Sequence, residues 1–217
     1  WPFIVRWSTC VPAATRRHYQ ENMILALAVV LGLFAALLRY GRQAFRRIST
    51  IPLHAPWLVL VAVGLQLPLL RAPAGPIEGL RLQQALFLAT HLLLLAFFWR
   101  NRHLPGILVN GAGVILNLAV ILANAGFMPI TPETLVRINP GSIAAAWPEG
   151  THYGHSKDVI LPWENTRLWV LSDILVLPPP FPWPTAFSVG DLLIAAGIVI
   201  LLLQGPRQPA TLPEEKI

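Results

Sequence analysis

The chain has 217 residues, of which 55% are hydrophobic and only 12% are charged. A soluble domain carries about 25% charged residues, so this composition excludes an ordinary water-soluble globule and predicts an integral membrane protein whose main partner is the lipid bilayer. The net charge of +6 does not indicate nucleic acid as a partner, because the basic residues lie beside apolar segments rather than along a polar face.

Residues 1–22 differ from the sequence that follows them. They hold three arginines and the single cysteine, Cys10, which excludes an intrachain disulfide framework. Met23 opens directly onto an apolar run, as a start codon before a first membrane span does. We therefore expect residues 1–22 to be an N-terminal extension produced by an over-extended gene start. The alternative is a leader with a role of its own.

Five apolar stretches of 16 to 18 residues predict five transmembrane helices: 23–38, 55–70, 82–99, 106–122 and 188–203. At about 1.5 Å per residue such helices approach the thickness of a hydrocarbon core of about 30 Å. The predicted fold is an all-α bundle over residues 23–203. A long structured exterior loop (123–187) separates spans four and five, and a polar cytoplasmic tail (204–217) follows span five.

Arginines predict the orientation, because short cytoplasmic loops are rich in them. The two loops expected on the cytoplasmic side hold six arginines, whereas the short exterior loop between spans two and three holds two. The six are Arg39, Arg42, Arg46, Arg47, Arg100 and Arg102. We expect a multi-pass protein of the bacterial inner membrane, with the N-terminus and the long loop outside and the C-terminus in the cytoplasm.

Two features stand out in the long loop. Thr131, Pro132 and Glu133 are typical of a helix start, with a capping threonine, a proline at the first position and an acid in the first turn. The predicted helix PETLVRI ends before Asn139. Residues 167–177 form an apolar run that is too short to span, so we expect it to lie on the outer membrane surface or to pack over the bundle.

Span four carries a polar stripe with helical spacing, formed by Gly106, Asn110, Gly113, Asn117 and Asn124. Small residues permit close approach of helices, and buried amides form hydrogen bonds to neighbouring helices. The stripe is interpreted as a packing seam or, alternatively, as the polar lining of a path for a small solute. The expected partners of Asn117 are His91, Gln66 or a carbonyl exposed by Pro68.

Two ionisable side chains lie within predicted spans. Asp191 follows Ser188 by three residues, which is typical of a capping box at a helix start; the alternative is an ion or proton carrier. His91 lies among leucines in span three, and we expect it to form a hydrogen bond inside the bundle rather than to act in catalysis.

The exterior loop offers weak candidates for chemistry. His152 and His155 could ligate a metal, but their spacing matches no specific signature, so neither a metal nor a cofactor is predicted. Glu133, Glu164 and Asp173 could supply an acid–base pair. Arg167 lies six residues before Asp173, so the two do not share a helix face as an ion pair would.

The stretches NLAVILANAGFMPITPETL and HSKDVILPWENTRLWVLSDILVLPPPFPWPTAFSVGDLLIAAG resemble a bacterial family of small multi-span membrane proteins, domain-of-unknown-function family 5317. The resemblance covers about residues 23–203. Its most specific pieces are 124–129, 166–168, 172–173 and 187–191. The family usually has Gly-Asp where this chain has Ser172-Asp173. The resemblance implies no activity, substrate or cofactor.

Three classes of function remain compatible with the sequence. We expect a non-enzymatic scaffold, accessory subunit or binding component whose exterior loop contacts a protein partner. One alternative is a small-solute carrier or channel lined by the polar face of span four. The other is a membrane-embedded enzyme that uses the histidines and carboxylates of the exterior loop.

Overall fold

The computed structural model describes residues 23–66, 81–151, 153 and 158–204. The chain is mostly helical, and five long helices coincide with the five predicted apolar stretches. They are α1 (Met23–Tyr40), α3 (Trp57–Gln66), α4 (Arg81–Arg100), α5 (Pro105–Ala123) and α7 (Val189–Gln204), and a short helix, α2 (Ala44–Ser49), follows α1. Residues 1–22, 67–70 and 205–217, on which other predictions were made, lie outside the described part.

Two of the described helical segments are long and apolar enough to cross a membrane. They are Met23–Ser49, which includes α2, and Pro105–Ala123. Trp57–Gln66, Gln84–Arg100 and Val189–Gln204 are also apolar but shorter. The helical class is therefore confirmed, and two of the five predicted spans, within the described residues, have the length and composition of a membrane-crossing helix.

The long helices pack in a row rather than in a closed ring. In space α1 packs on α7, α7 on α5, α5 on α4 and α4 on α3. The Tyr40 hydroxyl donates to the Leu203 carbonyl, so the C-termini of α1 and α7 lie at the same end. Gly106 at the start of α5 lies against Leu201 near the end of α7, so these two helices are antiparallel.

Residues 125–187, which follow the C-cap residue of α5 and which we call the loop domain, contain β-structure that was not predicted. Strand β1 (Met128–Ile130) pairs in parallel with β2 (Asp158–Ile160), and β3 (Leu175–Leu177) pairs antiparallel with β4 (Thr185–Phe187). The all-α prediction is wrong for this part of the chain. Strands of three residues are too short to show an alternating pattern, and the partner of β1 lies about thirty residues away along the chain.

The predicted short helix of the loop domain is confirmed as α6 (Pro132–Ile138), in which the Thr131 side chain accepts a hydrogen bond from the Thr134 amide at 3.2 Å. Leu135 and Ile138 of α6 pack with Ile130 and Ile160 in a small core. Of the apolar run 167–177, the part around Leu171 packs over the bundle, whereas Val176 packs against the small core of α6. Leu171 lies on a second core of buried residues from α4, α5 and β1, formed by Phe87, Val120, Ile121 and Met128.

Candidate functional site

Glycines bring α5 and α7 into close contact along a surface that we call the seam. It consists of Gly106, Asn110, Gly113 and Asn117 of α5 with Gly190 and Gly197 of α7. A Cβ atom on Gly113 would lie 2.4 Å from the Gly190 carbonyl oxygen, and one on Gly197 would lie 2.6 Å from that of Gly106. Glycines seven residues apart on both helices therefore permit backbone-to-backbone packing.

Each asparagine of the seam fills the space left by a glycine opposite. A Cβ atom on Gly190 would be 1.9 Å from Oδ1 of Asn117, and one on Gly197 would be 2.3 Å from Oδ1 of Asn110. The amide oxygens thus occupy the positions where side chains on α7 would begin. The stripe is a packing surface in this structure, with no space between the two helices at these positions for a solute path.

Asn117 belongs to a ring of hydrogen bonds at the start of α7. Its Nδ2 donates to Oδ1 of Asp191 and its Oδ1 accepts from the Ser188 hydroxyl, both at 2.8 Å. The Asp191 amide donates to the Ser188 hydroxyl at 2.9 Å, and the Ser188 amide donates to Oδ2 of Asp191 at 3.0 Å. Ser188 and Asp191 thus form a capping box, to which Asn117 of the neighbouring helix adds two bonds.

The expected partners of Asn117 were wrong, because this face of α5 is turned towards α7 and not towards α3 or α4. Gln66 donates instead to the Thr90 hydroxyl at 3.2 Å. Nδ1 of His91 lies 2.8 Å from the Phe87 carbonyl oxygen, and its ring packs edge-on against Phe87. Gln66 therefore joins α3 to α4, and His91 stabilises a turn of α4.

Asn110 differs from Asn117 because α7 offers it no polar side chain. It is buried, and its Oδ1 accepts no hydrogen bond from the described part of the chain. The oxygen lies against the α-carbon of Gly197, where a weak Cα–H contact is the available interaction. An unsatisfied buried acceptor costs about 1–3 kcal/mol. The close packing of α5 on α7 at this position must therefore offset the cost of burying the Asn110 oxygen.

Asn124, at the end of α5, fastens the loop domain to the helices. Its Nδ2 donates to the carbonyls of Val120 and Arg167, each at 2.8 Å, and its Oδ1 accepts from the Arg167 amide at 2.9 Å. One side chain thus pairs with both backbone groups of Arg167, as a neighbouring strand would. Leu168 follows with a left-handed backbone (φ +54°), which turns the chain away from this contact.

Sequence reasoning missed a second contact of this kind at the opposite end of the bundle. Asn101, which is fully buried, accepts from the His54 amide at 2.7 Å and donates to the His54 carbonyl at 2.9 Å and to the Phe97 carbonyl at 2.8 Å. Ala55 then has the left-handed backbone. The position of Asn101 directly after a helix, like that of Asn124, is the signal that could have found it.

The candidates for catalysis and metal binding lie in different environments. Glu133 and Glu164 are exposed, whereas Asp173 is buried beside β1, where its amide donates to the Pro129 carbonyl. Arg167 contributes its backbone to the Asn124 contact. His152 and His155 lie outside the described residues. Within the described part, no group of three histidine, cysteine or acidic side chains could hold a metal.

Replacing Ser188 by alanine should destabilise the protein by about 1–2 kcal/mol, because the substitution removes a helix cap and leaves Asn117 Oδ1 without its donor. The matched control is Ser49→Ala, since the Ser49 hydroxyl donates only to the Arg46 carbonyl at an exposed helix end. Thermal unfolding in detergent should show a lower midpoint for Ser188→Ala alone. Equal midpoints for the two variants would contradict a stabilising role of the ring.

Comparison with known proteins places this chain in a family. Residues 50–203 match the Family of unknown function (DUF5317), and the chain belongs to it. It is 30% identical over 129 residues to an uncharacterized protein of Thermotoga maritima, a match that covers 57% of this chain and 67% of the relative. No solved structure matches the chain. The family membership predicted from the sequence is confirmed, and the Thermotoga relative suggests a bacterial origin.

Proposed function

We propose that this chain is a non-enzymatic binding component of a bacterial inner membrane, with five spans that hold the loop domain outside the cell membrane for a protein partner. The membrane setting is supported by apolar side chains that face outward on the long helices. Val30 of α1 is 62% exposed, Leu60 of α3 is 73% exposed and Ile115 of α5 is 55% exposed. In water such surfaces would associate, whereas lipid solvates them.

Charge supports the proposed orientation. The described acidic residues all lie in the loop domain or at the start of α7 beside it, and they are Glu133, Glu149, Asp158, Glu164, Asp173 and Asp191. The opposite end of the bundle, which we call the basic end, bears Arg39, Arg42, Arg46, Arg47, Arg100 and Arg102. Because arginines are retained on the cytoplasmic side, the basic end is proposed to face the cytoplasm.

Reporter fusions test this orientation. A reporter enzyme that is active only in the cytoplasm should be active when fused after Arg47 or after Arg207, and inactive when fused after Gly150 in the loop domain. Immunoblotting should show similar amounts of each fusion. The reverse pattern of activity would overturn the orientation and the exterior position of the loop domain.

The observation that carries the binding role is that the loop domain is held firmly, whereas the polar side chains inside the bundle are already engaged. Asn110 packs against Gly197 of α7, and Asn117 bonds to Ser188 and Asp191. The loop domain is fastened to the helices at separate points, by Asn124 to Arg167 and by Gln84, which donates to the Ala125 carbonyl at 2.6 Å. A surface held so firmly is suited to recognition, since little conformational entropy is lost on binding.

Ile143 marks the surface proposed to meet the partner. It is 68% exposed and precedes an exposed turn, Ala144–Ala146, which packs on α6 rather than on the long helices. A solvent-exposed apolar side chain beside small residues offers a contact that a protein partner can bury.

Photo-crosslinking in living cells tests this role. A photoreactive amino acid in place of Ile143 should yield one discrete protein adduct, whereas the same amino acid in place of Ile115, on the lipid-facing side of α5, should yield none. Both variants should accumulate to similar levels. If Ile143 and the neighbouring Ala145 give no adduct, the loop domain has no protein partner and the binding proposal fails.

The carrier alternative would require α5 and α7 to separate along the seam. This separation would break the bonds of Asn117 on α5 to Ser188 and Asp191 at the start of α7. The enzyme alternative would require Glu133 or Glu164, both exposed, to act together with Asp173, which is buried. Neither arrangement has a geometric feature in its favour comparable to the fastening of the loop domain.

A further inference from the structure

The basic end of the bundle contains an open cavity of about 560 Å³ between the end of α4 and the start of α5. Its lining consists of Arg100, Arg102, His103 and Leu108. Two of these side chains are arginines, which carry positive charge, and Leu108 is an exposed leucine on the outer side of α5. An open depression lined by two arginines and an exposed leucine fits a molecule with an anionic head and a hydrocarbon tail.

The arginines stand on a rigid turn. Asn101, between them, is fully buried and bonded to both backbone groups of His54. Arg102 is itself held in place, because its Nη1 donates to the Trp99 carbonyl at 3.0 Å and its guanidinium lies 4.5 Å from the centre of the Trp99 ring. A guanidinium that is already ordered loses less entropy when it binds a phosphate.

The remaining charges of this end favour the same ligand. Arg39, Arg42, Arg46 and Arg47 belong to the end of α1 and the segment after it, and the Arg47 guanidinium lies over the Tyr40 ring at 4.5 Å. Within the described residues no carboxylate lies at the basic end, so none competes there for the guanidinium groups. Exposed Trp99 and Trp57 at this end are typical of a membrane interface.

We propose that this cavity binds the phosphate of an anionic phospholipid of the cytoplasmic leaflet. Arg100 and Arg102 contact the phosphate, and Leu108 contacts the first part of an acyl chain. The inference rests on the proposed function in one respect, namely that the basic end lies at the cytoplasmic face of a membrane. It assigns to this face a ligand of its own, separate from the partner of the loop domain.

Native mass spectrometry of the full chain in detergent tests the site, with phosphatidylglycerol and phosphatidylcholine as competing probes. The wild-type protein should retain phosphatidylglycerol in preference. Because each basic group near an anionic lipid contributes about 1 kcal/mol, the double substitution Arg100→Gln and Arg102→Gln should weaken phosphatidylglycerol binding by roughly 30-fold. The matched control, Arg137→Gln with Arg167→Gln, removes the same charge from the loop domain and should leave binding unchanged.

Further measurements separate the phospholipid from other sources of phosphate. Leu108→Gln should weaken phosphatidylglycerol binding while both arginines remain. Inorganic phosphate at millimolar concentration should not displace the lipid. Displacement by phosphate, or an unchanged affinity in Leu108→Gln, would identify a site for a free phosphate and overturn the lipid proposal. Equal losses in the two double variants would identify a diffuse effect of net charge and also overturn it.

Failure of this site and failure of the proposed membrane function can be told apart. A chain that stays monodisperse without detergent, or whose fusion after Arg47 is inactive, contradicts the proposed membrane topology. A chain with the proposed topology that shows no preference for phosphatidylglycerol contradicts the lipid site alone.

Discussion

Gly190→Ala should destabilise the protein by about 3 kcal/mol, the upper part of the range for inserting atoms into a close-packed interface. The new methyl group would lie 1.9 Å from Oδ1 of Asn117 and 2.7 Å from the Gly113 carbonyl oxygen. Asn117 can turn away only by breaking its bonds to Ser188 and Asp191, and the Gly113 carbonyl belongs to the α5 backbone. The helices must therefore move apart.

Gly64→Ala is the matched control for this substitution. Gly64 lies in α3, and among the described residues no atom outside its own helical turns lies within 4 Å of the position of a new Cβ. Alanine there should therefore raise stability by up to about 1 kcal/mol through its higher helix propensity. Thermal unfolding in detergent measures both variants. A Gly190→Ala variant as stable as Gly64→Ala would contradict close packing along the seam.

A double variant shows how much of the effect involves Asn117. Combining Gly190→Ala with Asn117→Ala removes the clash with Oδ1 but keeps the clash with the Gly113 carbonyl. The loss in the double variant should therefore be smaller than the sum of the two single losses. Additive losses would indicate that Asn117 does not occupy the space in front of Gly190.

Asn124→Ala should loosen the attachment of the loop domain. The substitution removes three hydrogen bonds, one to the Val120 carbonyl and two to the backbone of Arg167. The Val120 carbonyl still accepts from the Asn124 amide at 3.0 Å, so its lost bond costs little. At about 1 kcal/mol for each of the two lost bonds to Arg167, we expect a loss of about 2 kcal/mol. Limited proteolysis followed by mass spectrometry should show faster cleavage between residues 163 and 174 than in the wild type.

Asn165→Ala is the control for this loss. Within the described residues the Asn165 side chain donates to Glu149 alone, at an exposed position. Surface substitutions of this kind usually change stability by less than about 0.5 kcal/mol. The control should have the melting midpoint and cleavage pattern of the wild type. If both variants are cleaved alike, the Asn124 contact does not fasten the loop domain.

The positions of the long helices could be predicted from the sequence because apolar runs longer than about fifteen residues have few alternatives to a helix. Local signals also sufficed for α6, where Thr131 and Pro132 act within one turn of the chain. The capping box of Ser188 and Asp191 is local for the same reason. In each case the interacting residues are three or four positions apart, so their chemistry alone determines the geometry.

Only the tertiary structure decided which helices are neighbours. The stripe on α5 was visible in the sequence, but its partner is α7, about seventy residues away, and not α3 or α4. The role of Gly190 and Gly197 is visible only in the folded chain, where their missing side chains leave room for Asn117 and Asn110. The pairing of β1 with β2 and the bonds of Asn101 and Asn124 also join distant segments, because backbone groups there find partners through packing of the whole chain and not through sequence proximity.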